Sequence, residues 1–409
     1  MIEKKLHIAV ISSWYPTPGN TAGIFVRDQA DALIDAGNKV SIFIFQYISP
    51  LTWLKKKLKD ESLHTWIRGK NIVPLAYDFV NFAPTRFSPN PNDTQKKAFL
   101  KYVKKNVKAY IDKNGKPDVI HHHGAADYCY LTAFISKQFG IPYIITEHSM
   151  FLDHIDHFNS YESNEERLEM IQHAAVRTTV SAFYANHNSN LFQAPFIVIP
   201  NMINNDFADI PLPHFPKKTS PFYFLNIGEL SRRKRQDILI QAFTEAFENT
   251  DVVKLIIAGD GAVREDLKNQ IDSLGMQKAI SMVGFKQRPE VLKLMDTCHV
   301  VVISSERESF SMVAAESLFR GNPVLTTRCK GPEDFINETN GLTCELNDVK
   351  DMKEKLLSIY NKYSSFNSTS IIKDARNKYS EQMIAAKLEE VYRSAISSSP
   401  LAKTGNGNR

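Results

Sequence analysis

The chain has 409 residues, 43% hydrophobic and 23% charged, which is typical of a globular protein with more than one domain. Its four cysteines contain no Cys-x-x-Cys pair, which disfavours a zinc site or a disulfide framework and predicts buried free thiols. No run approaches the roughly 20 apolar residues that span a bilayer, and the N-terminal apolar run is too short for a signal peptide. These features predict a cytoplasmic protein.

The net charge of +5 is unevenly distributed. Residues 51–116 contain 15 Lys and Arg against 5 Asp and Glu. Within them, residues 96–113 repeat apolar side chains on one predicted helical face, namely Phe99, Val103, Val107 and Tyr110. A solvated surface helix is one interpretation, and contact with an anionic membrane surface or substrate, as in a peripheral membrane protein, is the other. Nucleic acid is disfavoured as a partner because no recognition motif accompanies the charge.

Apolar strand-like runs alternate with helical patterns in both halves of the chain. The first half contains LHIAVIS, KVSIFIF, DVIHHH, YIITEH and RTTVSA. The second half contains YFLNIGE, KLIIAGD, ISMVGF, HVVVISS and NPVLTT. Strands rich in Val and Ile that alternate with helices predict an α/β protein with two doubly wound parallel sheets.

A proline-rich stretch without periodicity separates the two halves. We expect an N-terminal domain over residues 1–203, a linker over 204–221 and a C-terminal domain over 222–379. A helix near 380–396 is expected to pack back on the first domain. The Ser-, Gly- and Asn-rich tail, 397–409, is expected to be disordered.

Polar groups follow several predicted strands, where doubly wound domains bind their ligands. They are Gly23, His121, His123, Glu147 and His148 in the first half, and Gly228, Glu229, Gly259, Gly261 and Glu308 in the second. A helix that begins near Ser311 would direct its free amides at an anion, with Ser309 or Ser311 as a cap. The shared location of these groups predicts a binding site.

The stretch ESFSMVAAESLFRGNPV, residues 308–324, places Glu316 within a helix. Its predicted face is otherwise largely apolar and comprises Met312, Val313, Phe319 and Arg320. A buried carboxylate is costly unless a partner compensates it. Glu316 therefore either reaches solvent at the edge of the face or binds a ligand.

Taken together, these motifs resemble the retaining glycosyltransferases of family 4. RESFSMVAAESLFRGNPVLTT resembles the E-x7-E signature, GELSRRKRQDILIQAF the phosphate-binding segment and IIAGDGAVREDLK the Gly-x-Gly strand end. AGIFVRDQADALIDAG resembles the N-terminal glycine loop, PDVIHHHGAADY and GIPYIITEHS the histidine motifs, and VIPNMIN the interdomain segment. The resemblance covers nearly the whole chain and implies the GT-B fold, two Rossmann-like domains facing each other across a cleft.

The resemblance also implies a donor site for a nucleotide sugar. Glu316 would bind the ribose hydroxyls, Glu308 would face the hydroxyls of the transferred sugar, and Lys234 would be the cation at the diphosphate. Backbone groups near the donor would come from Gly23, Gly228, Gly259, Gly261, Phe310, Ser311, Met312 and Val313. This sequence has Glu229 where the family often has an arginine, so either Arg232 or Arg233 would supply a second positive charge, or the site would act with Lys234 as its one cation. Ser311 and Met202 stand where glycines are common.

On the acceptor side, the resemblance places His148 near the transferred sugar, as a hydrogen-bond donor or an orienting group, and His121, His123 and Glu147 around it. No metal or other cofactor is expected, because GT-B enzymes generally act without one and no Asp-x-Asp site is present. Within the reaction, Glu308, Lys234 and His148 are the expected catalytic residues.

The implied function is transfer of a sugar to a hydroxyl of a glycan or lipid-linked acceptor, in surface polysaccharide or glycolipid biosynthesis. One alternative is a GT-B sugar-nucleotide epimerase, which the order of motifs around Lys234 and the two glutamates disfavours. Another is a non-catalytic relative that binds sugar nucleotides. A redox Rossmann enzyme is disfavoured because no Gly-x-Gly-x-x-Gly follows the first strand.

Overall fold

A computed structural model describes residues 4–12, 15–16, 23–48, 73–80, 93–124, 129–148, 164–209, 220–247 and 251–399. These residues form two compact units. One comprises the described residues up to Met202 together with those from Ile384 onward, and the other comprises Ile203–Met383.

The first unit is built on a seven-stranded parallel sheet with the strand order β3-β2-β1-β4-β5-β6-β7. Its strands are β1 (His7–Ser12), β2 (Lys39–Ile48), β3 (Val73–Val80), β4 (Val119–His123), β5 (Tyr143–Glu147), β6 (Val176–Thr179) and β7 (Ile197–Val198). Its helices before Met202 are α1 (Ile24–Asp35), α2 (Asp93–Asn114), α3 (Cys129–Phe139), α4 (Asn164–His173) and α5 (Ala182–Phe192).

The second unit is built on a six-stranded parallel sheet with the order β10-β9-β8-β11-β12-β13. Its strands are β8 (Phe222–Ile227), β9 (Val253–Ala258), β10 (Ile280–Gly284), β11 (Val300–Ile303), β12 (Val324–Thr327) and β13 (Gly341–Cys344). The helices are α6 (Asp206–Asp209), α7 (Gln236–Ala246), α8 (Arg264–Ser273), α9 (Arg288–Thr297), α10 (Met312–Phe319), α11 (Val349–Lys362) and α12 (Ser368–Tyr379). A last helix, α13 (Glu381–Ser398), follows them. The predicted pair of doubly wound parallel sheets is confirmed.

Alternate residues of the central strands pack on opposite faces of the first sheet. Ala9 and Ile11 of β1 belong to the core beneath α2 and α3, whereas Ile8 and Val10 belong to the core beneath α1. Since successive side chains of a strand point to opposite faces, a continuous apolar strand requires cover on both sides. This arrangement leaves the carboxyl ends of the strands as the edge where polar side chains collect.

Helix α13 supplies part of the core of the first unit. Its residues Ile384, Leu388, Tyr392 and Ala395 are all buried beside the α1 face of the sheet. The helix continues to Ser398, past the start of the predicted tail, and residues 400–409 lie outside the described part of the chain. In the predicted linker, α6 is helical, and residues 210–219 lie outside the described ranges.

The amphipathic pattern of residues 96–113 is confirmed as one face of α2. Its apolar side chains, Phe99, Val103, Val107 and Tyr110, are at most 5% exposed and lie in the domain core. Its exposed lysines are Lys97, Lys101, Lys104, Lys105, Lys108 and Lys113. The apolar face is therefore occupied by the protein itself, and only the lysine face remains for an anionic partner. The other basic residues of the 51–116 segment lie mostly outside the described residues.

Three strands were absent from the sequence prediction, and all of them are short or lie at sheet edges. Strand β3 contains Pro74, which cannot donate to a ladder and is tolerated at an edge. Strands β7 and β13 are the opposite edges of their sheets and have two and four residues. Such strands carry little periodic signal.

All four cysteines are buried free thiols, as predicted. Burial is also the main cause that raises the pKa of Cys329 to about 11, so this thiol stays protonated near neutral pH. Across the described ranges, no helix combines the length and the apolar character that a membrane span requires.

Candidate functional site

The loops that follow β8 and β11 are joined by hydrogen bonds in the second unit. These strands are neighbours where the strand order reverses, which is where open α/β sheets bind ligands. The amide of Glu306 donates to the carbonyl of Arg233 over 2.9 Å, and the Ser304 hydroxyl donates to the carbonyl of Lys234 over 2.7 Å. The two loops therefore hold one another in place.

This arrangement brings together Lys234 and Glu308, two of the three predicted catalytic residues. Lys234 Nζ lies 2.5 Å from Glu308 Oε1, and the hydroxyl of Ser305 donates to the same oxygen over 2.6 Å. The two charged side chains are 19% and 12% exposed, so the pair borders solvent instead of lying in the core. A charge-assisted pair of this kind orients both groups, and the ammonium retains further hydrogen-bond donors.

Glycines allow the backbone to pass close to this pair. A Cβ at Gly259 would lie 1.8 Å from the carbonyl oxygen of Gly228, and one at Gly261 would lie 2.3 Å from that of Leu230. Both distances are far inside van der Waals contact, so these positions require glycine. At Gly228 an added Cβ would meet only the Lys234 side chain, at 3.8 Å. The predicted glycines thus allow the backbone segments beside Lys234 to pack closely together.

Helix α10 begins next to Glu308, with Ser311 at its N-cap. Ser311 has φ +71°, a left-handed conformation that favours glycine, which fits the glycine common at this position in the family that the motifs resemble. The side chain of Ser311 makes no capping hydrogen bond, contrary to its predicted role. The amides of the first turn, Met312 and Val313 among them, are therefore not satisfied by a Ser311 cap.

The segment before α10 is anchored by Phe310. Its ring is buried and packs on the rings of Phe335 and Tyr379, with centroids 5.3 and 5.6 Å away. Only the backbone of Phe310 is therefore placed to serve a ligand. Gly331 packs on the same segment, where a Cβ would lie 2.5 Å from the carbonyl oxygen of Ser309.

Glu316 is half-buried on α10, so the face predicted from the sequence is not uniformly buried. Met312 and Val313 are also half-buried, whereas Phe319 and Arg320 are fully buried. Arg320 forms an ion pair with Asp296 at 2.8 Å and anchors the end of the helix. The cost of desolvating Glu316 is accordingly smaller than in a closed core.

The arginines of the GELSRRKRQD segment have different surroundings. Arg233 donates to the carbonyl of Arg307 over 2.9 Å. Arg235, which sequence reasoning did not select, forms ion pairs with Asp237 and Glu306, each at 3.0 Å. Arg232 is exposed and lines a pocket of about 440 Å³ with Arg235. Lys234 and Glu308 are not among the residues that line this pocket, and the choice between Arg232 and Arg233 as the substitute for the absent arginine stays a prediction.

In the first unit, Gly23 is the N-cap of α1 and has φ +73°. This left-handed conformation is reached by glycine at little cost. The first turn of α1 begins at Gly23, because the amide of Val26 donates to the carbonyl of Gly23 over 2.9 Å. The predicted glycine loop is thus a helix N-terminus at the carboxyl edge of the sheet.

His148 belongs to a buried row of histidines at the ends of β4 and β5. Its Nε2 lies 2.9 Å from Nδ1 of His123, and its ring packs against Phe25 of α1 at 4.5 Å. His121, His123 and His148 are 0%, 1% and 9% exposed. Only His148 therefore approaches the domain surface.

Burial sets the protonation state of these histidines. Desolvation lowers the pKa of His148 to about 3 and holds the pKa of His121 and of His123 well below the usual value, with neighbouring histidines adding repulsion for those two. All three imidazoles are therefore neutral near pH 7. At this site His148 can donate or accept a hydrogen bond, but it carries no positive charge.

Both ring nitrogens of His121 have hydrogen-bond partners inside the domain, and its acceptor-side role stays a prediction. Its Nδ1 pairs with the Tyr392 hydroxyl at 2.8 Å and its Nε2 with Thr146 Oγ1 at 2.6 Å. Both nitrogens are thus used inside the domain. Glu147 is 2% exposed, and its acceptor-side role stays a prediction. Among the described residues, no group of three His, Cys, Asp or Glu side chains is arranged to hold a metal ion.

Two family models match the chain, one over each half. The model described as Glycosyltransferase Family 4 matches residues 22–207, and the model described as Glycosyl transferases group 1 matches residues 212–382. The first contains Gly23 and the histidine row, and the second contains Lys234, Glu308 and Glu316.

Several known proteins are similar in sequence. An uncharacterized glycosyltransferase of Methanocaldococcus jannaschii is 29% identical over 246 residues, which is 60% of this chain and 66% of the relative. Poly(ribitol-phosphate) alpha-N-acetylglucosaminyltransferase of Staphylococcus aureus is 28% identical over 140 residues, covering 33% of this chain and 28% of its own length. The chain thus spans less than two thirds of the length of these two relatives.

Solved structures match over almost the entire chain. Sucrose-phosphate synthase from Thermosynechococcus elongatus superimposes with a TM-score of 0.72 at 19% identity, covering 97% of this chain and 100% of that one. Anabaena HepE, in a structure with UDP and glucose, superimposes with a TM-score of 0.67 at 16% identity, covering 95% and 100%. With the two family models, these likenesses show that the chain belongs to the glycosyltransferases with the GT-B fold.

Proposed function

We propose that this glycosyltransferase moves a sugar from a nucleotide-sugar donor to a hydroxyl group of a glycan or lipid-linked acceptor, with retention of configuration at the sugar. The observation that supports the donor site is the contact of Lys234 with Glu308 beside the first turn of α10. Retention is proposed because Glu308 and Glu316 stand at the spacing of the retaining enzymes that the sequence resembles.

The reaction needs negative charge stabilised on the departing diphosphate. Lys234 supplies a fixed positive charge, and the amides at the start of α10 supply oriented dipoles. Groups that are already in place stabilise the transition state without reorganising, because the loop hydrogen bonds hold them before the donor arrives.

Glu308 and Glu316 are proposed to bind hydroxyl groups of the donor, one on the transferred sugar and one on the ribose. A carboxylate has two acceptor oxygens, which suit a pair of neighbouring hydroxyls. Glu308 Oε1 accepts from Lys234 and Ser305, and that contact orients the carboxylate. We assign Glu308 to the transferred sugar and Glu316, one turn into α10, to the ribose. The anomeric configuration of the product, determined by NMR with a natural or synthetic acceptor, tests retention.

A thermal-shift screen with UDP, GDP, ADP and their sugars tests the donor site. A ligand that binds only the native state raises the melting temperature. HepE has been solved with UDP and with UDP-glucose, which makes uridine nucleotides the first to test. No shift with any of these nucleotides, in protein shown to be folded by circular dichroism, would contradict the proposal.

Glu316→Gln is expected to weaken nucleotide binding about 10- to 100-fold while the fold is retained. The loss of one charge-assisted hydrogen bond costs about 1.5–3 kcal/mol. Glu308→Gln is expected to lower sugar transfer while free nucleotide still binds. Calorimetric titration of both variants measures the difference, and Glu338→Gln, at an exposed glutamate before β13, is the matched control. Equal loss of nucleotide binding in the two variants would refute the division of roles.

We also propose that the lysine face of α2 touches an anionic membrane surface. The apolar side of the helix is buried, so the contact is electrostatic, at about 1 kcal/mol per lysine, and is screened by salt. The triple variant Lys101→Glu/Lys104→Glu/Lys105→Glu should abolish flotation with anionic vesicles at low salt. The charge-matched control is Lys350→Glu/Lys362→Glu/Lys373→Glu, on α11 and α12. Equal binding of both variants, or equal binding to neutral vesicles, would rule this surface out.

A further inference from the structure

A groove of about 790 Å³ lies between helices α2, α3 and α4 of the first unit. Pockets that bind small molecules have volumes of about 300–1,000 Å³ and mostly apolar walls. Apolar side chains line much of this groove, namely Leu100, Tyr130, Ala133, Phe134 and Met170. Tyr143 lines it as well, and its hydroxyl is already used, because it donates to the carbonyl of Met170 over 2.6 Å. The groove therefore suits a hydrocarbon.

The groove extends along the helices from one edge of the sheet to the other. Helix α3 connects β4 to β5 and α4 connects β5 to β6, so both helices begin at the carboxyl edge and end at the amino edge. Tyr130 and Glu166 line the groove near the helix starts, whereas Pro142 and Ala175 line it immediately before β5 and β6. A ligand that fills the groove therefore has one end at the carboxyl edge, where His148 follows β5.

Lys96 of α2 supplies a positive charge at the carboxyl-edge end of the groove. Its ammonium forms an ion pair with Glu166 of α4 and lies 4.7 Å from the centroid of the Tyr130 ring. The Lys96 side chain is 20% exposed, and an ammonium has three donors, so Lys96 can bind a further anion beside Glu166. Glu169, three residues further along α4, also lines the groove and would repel an anion there. An anionic group is therefore favoured at the Lys96 end.

We propose that this groove holds the hydrocarbon chain of a lipid-linked acceptor, with the phosphate of the lipid at Lys96. The acceptor hydroxyl then lies on the side of the carboxyl edge, and the chain extends along α3 and α4 toward the amino edge. This inference rests on the proposed function and selects the lipid-linked acceptor from the two acceptor classes named there. A membrane phospholipid is the competing occupant, and the experiment below separates the two.

The experiment titrates the full chain with octyl, decyl and dodecyl phosphate by calorimetry, below the concentration at which each forms micelles. The affinity is expected to rise about fourfold for each added methylene that the groove buries. Equal affinity for the three alkyl phosphates would contradict a groove that holds hydrocarbon. In the variant Ala133→Trp, the indole occupies the groove, and binding of dodecyl phosphate should weaken about 10-fold or more. The matched control is Ala246→Trp, at a half-buried alanine that ends α7 in the second unit.

Two lysine substitutions test the direction in which the lipid lies. Lys96→Gln removes the charge at the carboxyl-edge end and should weaken binding of dodecyl phosphate about 10-fold, while binding of the uncharged dodecyl glucoside stays the same. Lys137→Gln removes an exposed lysine that lines the groove near the end of α3, and it should change the affinity by about twofold at most. A larger effect at Lys137 would place the phosphate at the amino edge and refute the proposal.

Flotation with anionic vesicles separates the acceptor from a membrane phospholipid. Ala133→Trp should float like the wild type, and a loss of flotation that parallels the loss of dodecyl phosphate binding would overturn the acceptor as occupant. Should Ala133→Trp fail to fold, the alkyl phosphate series and Lys96→Gln still test the groove. If no alkyl phosphate binds to wild-type protein whose melting temperature a nucleotide raises, this inference fails and the proposed function stands. Alkyl phosphate binding without any nucleotide shift would instead contradict the proposed function, and with it the acceptor as occupant.

Discussion

Replacing Lys234 by alanine is expected to lower kcat about 10²–10³-fold and to raise the donor KM much less. Charge develops on the diphosphate in the transition state, so the lost interaction acts mainly on the chemical step. One fixed electrostatic donor contributes about this much in other enzymes. The two loops that carry Lys234 and Glu308 are joined through backbone contacts that the substitution leaves in place, so the fold should survive.

Steady-state kinetics with a purified donor would measure this effect, with Lys278→Ala as the control. Lys278 is exposed and precedes β10 at the amino end of the sheet, away from the candidate site. An unchanged kcat in Lys234→Ala would overturn the assignment of the GELSRRKRQD segment.

The arginines of this segment extend the same experiment. Arg233 donates to the carbonyl of Arg307 and Arg235 pairs with two carboxylates, so part of the hydrogen-bonding capacity of each is already used. Arg232→Ala is therefore expected to lower kcat more than Arg233→Ala. If neither substitution has an effect, Lys234 and the backbone amides supply the stabilisation by themselves. A larger effect at Arg233 would refute the role that its hydrogen bond indicates.

His148→Ala is expected to reduce sugar transfer about 10²–10⁴-fold while nucleotide affinity stays the same, since a lost catalytic group typically costs this much. Lys234 and Glu316, which are proposed to bind the diphosphate and the ribose, lie in the second unit, so removal of an imidazole from the first unit should spare them. Because burial lowers the pKa of His148 to about 3, its ionisation should leave the activity between pH 5 and 8 unchanged.

Turnover at saturating donor and acceptor, together with calorimetric nucleotide binding, would test the role of His148. His173→Ala is the matched control, because His173 is an exposed histidine at the end of α4. Near wild-type turnover in a folded His148→Ala variant would show that His148 has no catalytic role.

The sequence by itself determined the parallel sheets, the buried face of α2, the free cysteines and the glycines of the second unit. Each of these features depends on local information. Val- and Ile-rich runs and helical periodicity predict elements from neighbouring residues. A glycine after a strand marks a place where the backbone needs space, and Gly259 and Gly261 confirm that rule through their near contacts with backbone carbonyls. The edge strand β3 was not predicted, because it contains Pro74 and proline is unusual within a strand.

Only the tertiary structure decided how the polar groups divide between a candidate site and the core. Lys234 meets Glu308 across 74 residues of sequence because β8 and β11 are adjacent, and strand order is a property of the whole sheet. His121 and His123 cannot be told apart from the sequence. In the structure, His121 pairs with the Tyr392 hydroxyl, whereas His123 pairs with His148. Burial then lowers the pKa of the three histidines, His121, His123 and His148, and this desolvation depends on neighbours that local periodicity does not specify.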